Sequence, residues 1–200
     1  MSWTQRAARA GHDGRCILIR MRILAICGSL RAASSNRAIL EACATLVPTG
    51  VDWKLCDLIG QLPHFNPDLD HEGLANPAVL AFRAAVRECD GLVFSTPEYV
   101  HSLPGSFKNA LDWLVSESDF PGKPVAIMQV ARDTAFARDA LIEVLRTMSA
   151  EIVPGALSSL NLGTNQITAA EILDRDDLRT ELARAIAAFV EHLKTGSWEE

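Results

Sequence analysis

Residues 21–46, MRILAICGSLRAASSNRAILEACATL, carry the pattern that decides the fold. Arg22–Cys27 is predicted to be a strand of the continuous apolar kind that parallel sheets bury on both faces. After a polar loop, apolar residues recur from Ser35 to Leu46 at the spacing of a helix face, and Pro48 and Gly50 end that helix. A buried strand followed by a loop and an amphipathic helix is the first part of a βαβ unit.

The rest of the chain repeats this alternation. It predicts four further strands, at Val51–Leu58, Asp90–Ser95, Pro124–Val130 and a short Glu151–Val153, and four further helices, at Ala78–Glu88, Gly105–Val115, Phe136–Met148 and Arg175–Leu193. Such a pattern indicates an α/β three-layer sandwich with a five-stranded parallel sheet and right-handed crossovers. Ligands of these folds bind at the carboxyl ends of the strands, where two unusual loops are expected.

The composition indicates one globular domain. The 200 residues are 48% hydrophobic and 22% charged, with a net charge of −6 and a pI near 5.4. We expect a single domain at 21–195, after an N-terminal extension at 1–20 that is disordered. The extension is rich in arginine and lacks the apolar region of a signal peptide; an organelle transit segment is the alternative, although His12, Asp13 and Gly14 interrupt that pattern. The acidic balance argues against nucleic-acid and anionic-membrane partners.

Five cysteines are scattered along the chain without a CxxC pair. An odd number of isolated thiols is typical of reduced, buried cysteines in a cytoplasm, and it favours neither a disulfide framework nor a zinc site. No apolar run approaches the roughly 20 residues that a transmembrane helix requires. We therefore expect a cytoplasmic protein with no metal ligands.

The first unusual loop has the composition of an anion site. It lies at the N-terminus of the first helix, where free backbone N–H groups and the helix dipole attract negative charge. Five side chains could complete a phosphate cradle: Ser29, Arg31, Ser34, Ser35 and Asn36. Capping of the helix by Ser34 or Ser35 is the alternative, but capping accounts for one serine only.

The loop lacks the motifs of the common phosphate-binding enzymes. Neither GxGxxG nor GxxxxGK followed by Ser or Thr is present, which excludes the dinucleotide fingerprint and the nucleoside-triphosphate loop. Cys27 is only four residues from Arg31 and still inside the strand, so a buried thiol is favoured over a phosphatase nucleophile. A phosphomonoester that is held without reacting, such as the tail of flavin mononucleotide (FMN), is the remaining hypothesis.

The second unusual loop, TPEYVHSLPGSF at residues 96–107, follows the third strand. Pro97 and Pro104 stiffen it, Gly105 permits a tight turn into the next helix, and Tyr99 offers a flat amphipathic ring. A rigid loop with outward backbone groups suits the polar edge of a planar heterocycle. A loop that only packs against the core is the alternative.

Together, CGSLRAASSNRAIL, LPHFNPDLD and STPEYVHSLPGSFKNALDWL resemble the NADPH-dependent FMN reductase family of flavodoxin-like proteins. The resemblance covers about Met21 to Glu151. It implies strand order 2-1-3-4-5, non-covalently held FMN, NADPH or NADH as hydride donor, and a homodimer or homotetramer. By position it assigns the phosphate to Ser29, Arg31, Ser34 and Asn36, and main-chain contacts with the flavin ring to Pro97, Glu98, Tyr99 and Val100.

The chain departs from the family pattern at two places. Val100 stands where the family often has asparagine, and the segment after the fourth strand, QVARDTAFARDA, lacks the family's glycines, so that Arg132, Asp133 and Thr134 are expected to project side chains there.

The leading functional hypothesis is an FMN-dependent NAD(P)H oxidoreductase that acts on quinones or similar small electrophiles. No catalytic side chain is predicted, because the cofactor carries the chemistry. A non-catalytic FMN- or phospholigand-binding protein, either a sensor or an electron carrier, is the second hypothesis, and a cysteine phosphatase is the third.

Overall fold

The computed structural model describes residues 21–71, 76–131 and 134–196. The predicted extension at 1–20, together with Arg132 and Asp133, lies outside the described residues. The strands are Met21–Cys27 (β1), Val51–Cys56 (β2), Gly91–Ser95 (β3), Pro124–Val130 (β4) and Glu151–Leu160 (β5). The α-helices are Ser35–Leu46 (α1), Pro77–Glu88 (α2), Gly105–Asp112 (α3), Phe136–Thr147 (α4), Ala169–Asp174 (α5) and Asp176–Thr195 (α6).

All five strands form one parallel sheet in the order β2-β1-β3-β4-β5, which confirms the predicted fold class and strand order. β1 pairs on both sides and is almost wholly buried, whereas β2 lies at the edge and alternates between exposed and partly buried positions. Cys27 is in register with Ser95 across β1 and β3. The two unusual loops therefore leave adjacent strands at the same edge of the sheet.

Each face of the sheet carries its own apolar core. One core packs α1, α5 and α6 against the sheet, and the other packs α2, α3 and α4 against the opposite face. Along β4 the side chains alternate between them: Ala126 and Met128 belong to the first core, and Val125 and Ile127 belong to the second. Within the described ranges, no helix is long and apolar enough to cross a membrane.

The prediction of a short fifth strand was wrong. β5 continues for ten residues, through Pro154 and Gly155, because a register shift against β4 accommodates them. Gly155 has φ +79, and the Arg184 guanidinium donates to its carbonyl oxygen at 2.8 Å and to that of Leu157 at 3.3 Å. A bulge thus carries the Pro-Gly pair, which the sequence pattern treated as a strand terminator.

Helix α5 was not predicted from the sequence. It is only six residues long, and its start is fixed by a capping box in which Thr168 and Glu171 bond each other's backbone N–H groups. The bounds of α1 match the prediction, and those of α2, α3, α4 and α6 differ from it by one to three residues, the largest difference being at the C-terminus of α3.

Candidate functional site

The first loop is fixed to the end of β3 by a close backbone approach at Gly28. The Gly28 N–H donates to the Ser95 carbonyl at 2.8 Å. A Cβ atom at position 28 would lie 2.2 Å from Thr96 Oγ1, so no larger residue fits without moving the second loop. The two loops are therefore held together where they leave β1 and β3.

Three of the predicted phosphate ligands surround the N-terminus of α1 and are buried. Ser34 caps the helix, its Oγ accepting from the Arg37 N–H at 3.4 Å. Ser35 Oγ donates to the Asn165 carbonyl at 2.9 Å, and Asn36 Oδ1 accepts from Ser95 Oγ at 3.0 Å. The side chains of these three residues thus support the loop, and the amide N–H groups of Asn36 have no acceptor among the described residues.

The backbone at this helix end has free donors. In the described part of the chain, the N–H groups of Ser35 and Asn36 have no hydrogen-bond partner. The first turn of α1 contains no acidic residue that could compete for the positive end of the dipole. Two free N–H groups at the start of a 12-residue helix are suited to an anion.

Ser29 and Arg31 lie on the outer side of this loop. Ser29 Oγ accepts from the Arg31 N–H at 3.3 Å, and the exposed Arg31 guanidinium has no partner among the residues the structure describes. Arg37, by contrast, is paired with Glu41 at 2.9 Å and Asp57 at 2.7 Å. Arg31 is therefore the arginine of this loop whose charge is available to a ligand.

The predicted site residues line three neighbouring cavities rather than one. Ser29 and Arg31 border a cavity of about 370 Å³, and Ser34 borders one of about 400 Å³ on the side of α5. Asn36, Pro97 and Glu98 share a third cavity of about 60 Å³ at the carboxyl edge of the sheet. The structure thus brings one predicted phosphate ligand together with two predicted ring contacts.

Tyr99 and Val100 line none of these three cavities; Tyr99 begins, and Val100 belongs to, an exposed two-residue turn. Tyr99 and Ser102 exchange both backbone hydrogen bonds at 3.0 Å, and the residues between them have positive φ, 50° at Val100 and 54° at His101. The His101 ring stacks on Phe136, with centroids 4.5 Å apart. This turn presents the backbone of the second loop to the outside.

Glu98 connects the second loop to the glycine-free segment. Its carboxylate accepts from Thr134 Oγ1 at 2.6 Å and from the Ala137 N–H at 3.0 Å. It thereby caps α4, whose own N-cap residue, Ala135, has no capping side chain. Thr134 projects a side chain as expected, and that side chain joins the loops that follow β3 and β4.

Sequence reasoning missed Gln129 and Thr96, which also line the 60 Å³ cavity. Gln129 is only 8% exposed at the end of β4, and its amide has no hydrogen-bond partner in the described ranges. A polar residue one position before the end of an otherwise apolar strand was the available signal.

Cys27 is not placed as a nucleophile. Its side chain is 5% exposed, and burial raises the pKa of the thiol, which opposes formation of the thiolate. The cysteine phosphatase hypothesis therefore loses its reactive group.

The donor set fits a phosphomonoester with an attached polar chain. The free N–H groups of Ser35 and Asn36 and the unpaired Arg31 guanidinium are all donors, as phosphate oxygens require. The small cavity beside Asn36 continues from this anion site toward Pro97 and Glu98.

Comparisons with known proteins show the family of this chain. The model of the NADPH-dependent FMN reductase family matches residues 21–165. An NAD(P)H-dependent FMN reductase of Pseudomonas aeruginosa is 44% identical over 110 residues, which cover 54% of this chain and 58% of that protein. The quinone reductase of Escherichia coli K12 is 34% identical over 110 residues, with the same shares of 54% and 58%. The chain therefore spans little more than half the length of these curated relatives.

Among solved structures, the flavoenzyme NAD(P)H:(acceptor) oxidoreductase FerB of Paracoccus denitrificans has the same fold. Its TM-score is 0.70 at 24% sequence identity, with 88% of this chain and 98% of that chain covered.

Proposed function

The chain belongs to the NADPH-dependent FMN reductase family, and we propose that it binds FMN and passes reducing equivalents from NAD(P)H through it to quinones or similar small electrophiles. The observation that carries the proposal is the set of free donors at the start of α1, next to the loop that follows β3. When bound, FMN supplies the chemistry, since it accepts hydride from a nicotinamide and delivers electrons to an acceptor.

The first loop holds the phosphate in this proposal. The N–H groups of Ser35 and Asn36 and the Arg31 guanidinium donate to its oxygens, and Ser29 lies beside Arg31 to add a hydroxyl. Ser34 contributes by capping the helix, and the Ser35 hydroxyl by fastening the loop to Asn165. Positioning therefore depends on backbone groups that the fold orients before the ligand arrives.

The second loop orients the ring. Pro97, Glu98, Tyr99 and Val100 offer main-chain groups, and the paired bonds between Tyr99 and Ser102 keep that backbone rigid. The Glu98 carboxylate holds the start of α4 against the same loop. These residues position the ring and shield it from water, and no side chain among them has to move a proton.

Flavin spectroscopy tests the proposal directly. Purified protein is mixed with FMN, freed of excess ligand, reduced anaerobically with NADPH and then given a quinone. We expect the protein to retain the visible absorbance band of the flavin. NADPH should bleach this band, and the quinone should restore it. A protein that stays colourless after reconstitution contradicts the proposal.

An Arg31→Ala variant tests the phosphate assignment. Loss of a charged hydrogen bond should weaken FMN binding by about 1–3 kcal/mol and leave riboflavin binding unchanged, because riboflavin lacks the phosphate. Arg37→Ala is the matched control, since its guanidinium is already paired with Glu41 and Asp57. Equal losses for FMN and riboflavin would reject the assignment.

A non-catalytic FMN-binding protein is the second candidate. The observation that favours it is the link from Glu98 to Thr134 and Ala137, which replaces a glycine-rich approach to the ring with side chains. Retained FMN that NADPH fails to bleach would establish this role.

We also propose a cytoplasmic homodimer or homotetramer. Exposed apolar side chains beside the site support self-association, with Val100 99%, Phe136 51% and Tyr99 48% exposed, and the isolated buried thiols support a reducing compartment. Light scattering after gel filtration measures the assembly; a monomer at micromolar concentration contradicts it.

A further inference from the structure

Gln129 is a buried polar side chain for which the described residues offer no partner. It is 8% exposed, and within the described ranges no donor or acceptor satisfies its carboxamide. Side chains alternate along β4, so Gln129 lies on the same face of the sheet as Val125 and Ile127. This is the face that packs against α4. An amide in such a place costs stability, because transfer from water removes hydrogen bonds that nothing replaces.

The cavity that Gln129 lines connects the two ends of the candidate site. Asn36, at the phosphate end, borders it on one side, and Pro97 and Glu98, at the ring end, border it on the other. Its volume is about 60 Å³, the smallest of the three cavities around the site. A narrow chain of carbons and hydroxyls suits this small space better than a three-ring heterocycle does.

We propose that Gln129 binds the ribityl chain of FMN, its carboxamide donating to and accepting from the ribityl hydroxyls. The inference rests on the proposed function and names a contact within that same site. A hydroxyl both donates and accepts, and a carboxamide has two N–H donors and an acceptor oxygen, so the two groups match. The unused N–H groups of Asn36 face the same cavity from the phosphate side.

The proposal makes opposite predictions for the free and the ligand-bound protein. Gln129→Met keeps the size of the side chain and removes the amide. In the apoprotein this change should raise Tm by about 2 °C, because an unpartnered buried amide is replaced by an apolar group. A structural role for Gln129 predicts the reverse, since a partnered amide would be lost.

Flavin affinities give the second measurement. Binding to the apoprotein is followed by quenching of flavin fluorescence for FMN, riboflavin and lumiflavin, the last of which has the ring but no ribityl chain. Gln129→Met should weaken FMN and riboflavin about tenfold, the worth of one or two hydrogen bonds, and leave lumiflavin unchanged. Gln61→Met, the same change at an exposed glutamine outside the cavity, is the control and should change no affinity.

The outcomes separate this inference from the function on which it rests. Wild-type protein that binds none of the three flavins overturns the proposed function and the inference together. Wild-type protein that binds FMN, with Gln129→Met weakening lumiflavin as much as riboflavin, places Gln129 at the ring and overturns the ribityl contact alone. Unchanged affinities, or a lower apoprotein Tm, also overturn it.

Discussion

Val100→Asn should stabilise the protein. Val100 has φ 50, a left-handed conformation that costs an ordinary L-residue roughly 1–2 kcal/mol, and β-branching makes valine a poor residue for it. Its side chain is 99% exposed, so replacement forfeits no packing. Asparagine tolerates this conformation, and we expect a gain of about 1 kcal/mol in the free energy of unfolding, or about 2–4 °C in Tm for a chain of this size.

Urea unfolding of the apoprotein, followed by circular dichroism, measures this gain. Val115→Asn is the matched control, because Val115 is also exposed, at 66%, but is absent from the positive-φ positions. The control should stay within about 0.5 kcal/mol of wild type. If both variants have the same stability, left-handed strain at Val100 is refuted as the cause.

Three further substitutions test the contacts around the site. Gly28→Ala should destabilise the protein by about 2 kcal/mol, because the new methyl group meets Thr96 Oγ1 at 2.2 Å; an unchanged urea midpoint would contradict this. Glu98→Gln should lower stability by about 1 kcal/mol through loss of the charged cap on α4, and a gain would contradict it. Arg83→Met should cost about 2 kcal/mol by leaving the partly buried carboxylates of Asp70 and Glu117 without the guanidinium that lies 2.7 Å and 3.3 Å from them. Burial opposes ionisation of Asp70, but hydrogen bonds, chiefly from Arg83, hold its pKa below the ordinary value. The wild type should therefore lose stability as pH falls below about 4, and Arg83→Met should lose less over that window; equal acid slopes would contradict this.

The sequence predicted the fold well because the spacing of apolar residues and the residues that begin or end helices and strands agree along most of the chain. The bounds of α1 and β4 were predicted to the residue, since Ser34 caps the helix and the strand is a clean apolar run. The full length of β5 could not be predicted, because Pro154 and Gly155 are tolerated only through a bulge against β4. That bulge depends on a strand partner remote in sequence.

The candidate site was predicted in part. A surplus of polar groups marked the first loop, but the sequence could not divide them into those that support the loop and those left free. The Ser35 hydroxyl is taken by Asn165, 130 residues away, and Asn36 is fixed by Ser95, 59 residues away. The sequence could not single out Gln129 for the same reason, since only the folded chain shows that the described residues leave its amide without a partner.

Several features that cost stability coincide at the carboxyl edge of the sheet. Val100 is in a left-handed conformation. Within the described residues, the buried Gln129 amide and the N–H groups of Ser35 and Asn36 are unpaired. Each cost has a separate physical origin, and each falls where the loops that follow β1, β3 and β4 meet. Strain and unsatisfied polar groups persist where function requires them. Their coincidence therefore supports a ligand that spans this edge from the start of α1 to the turn at Val100.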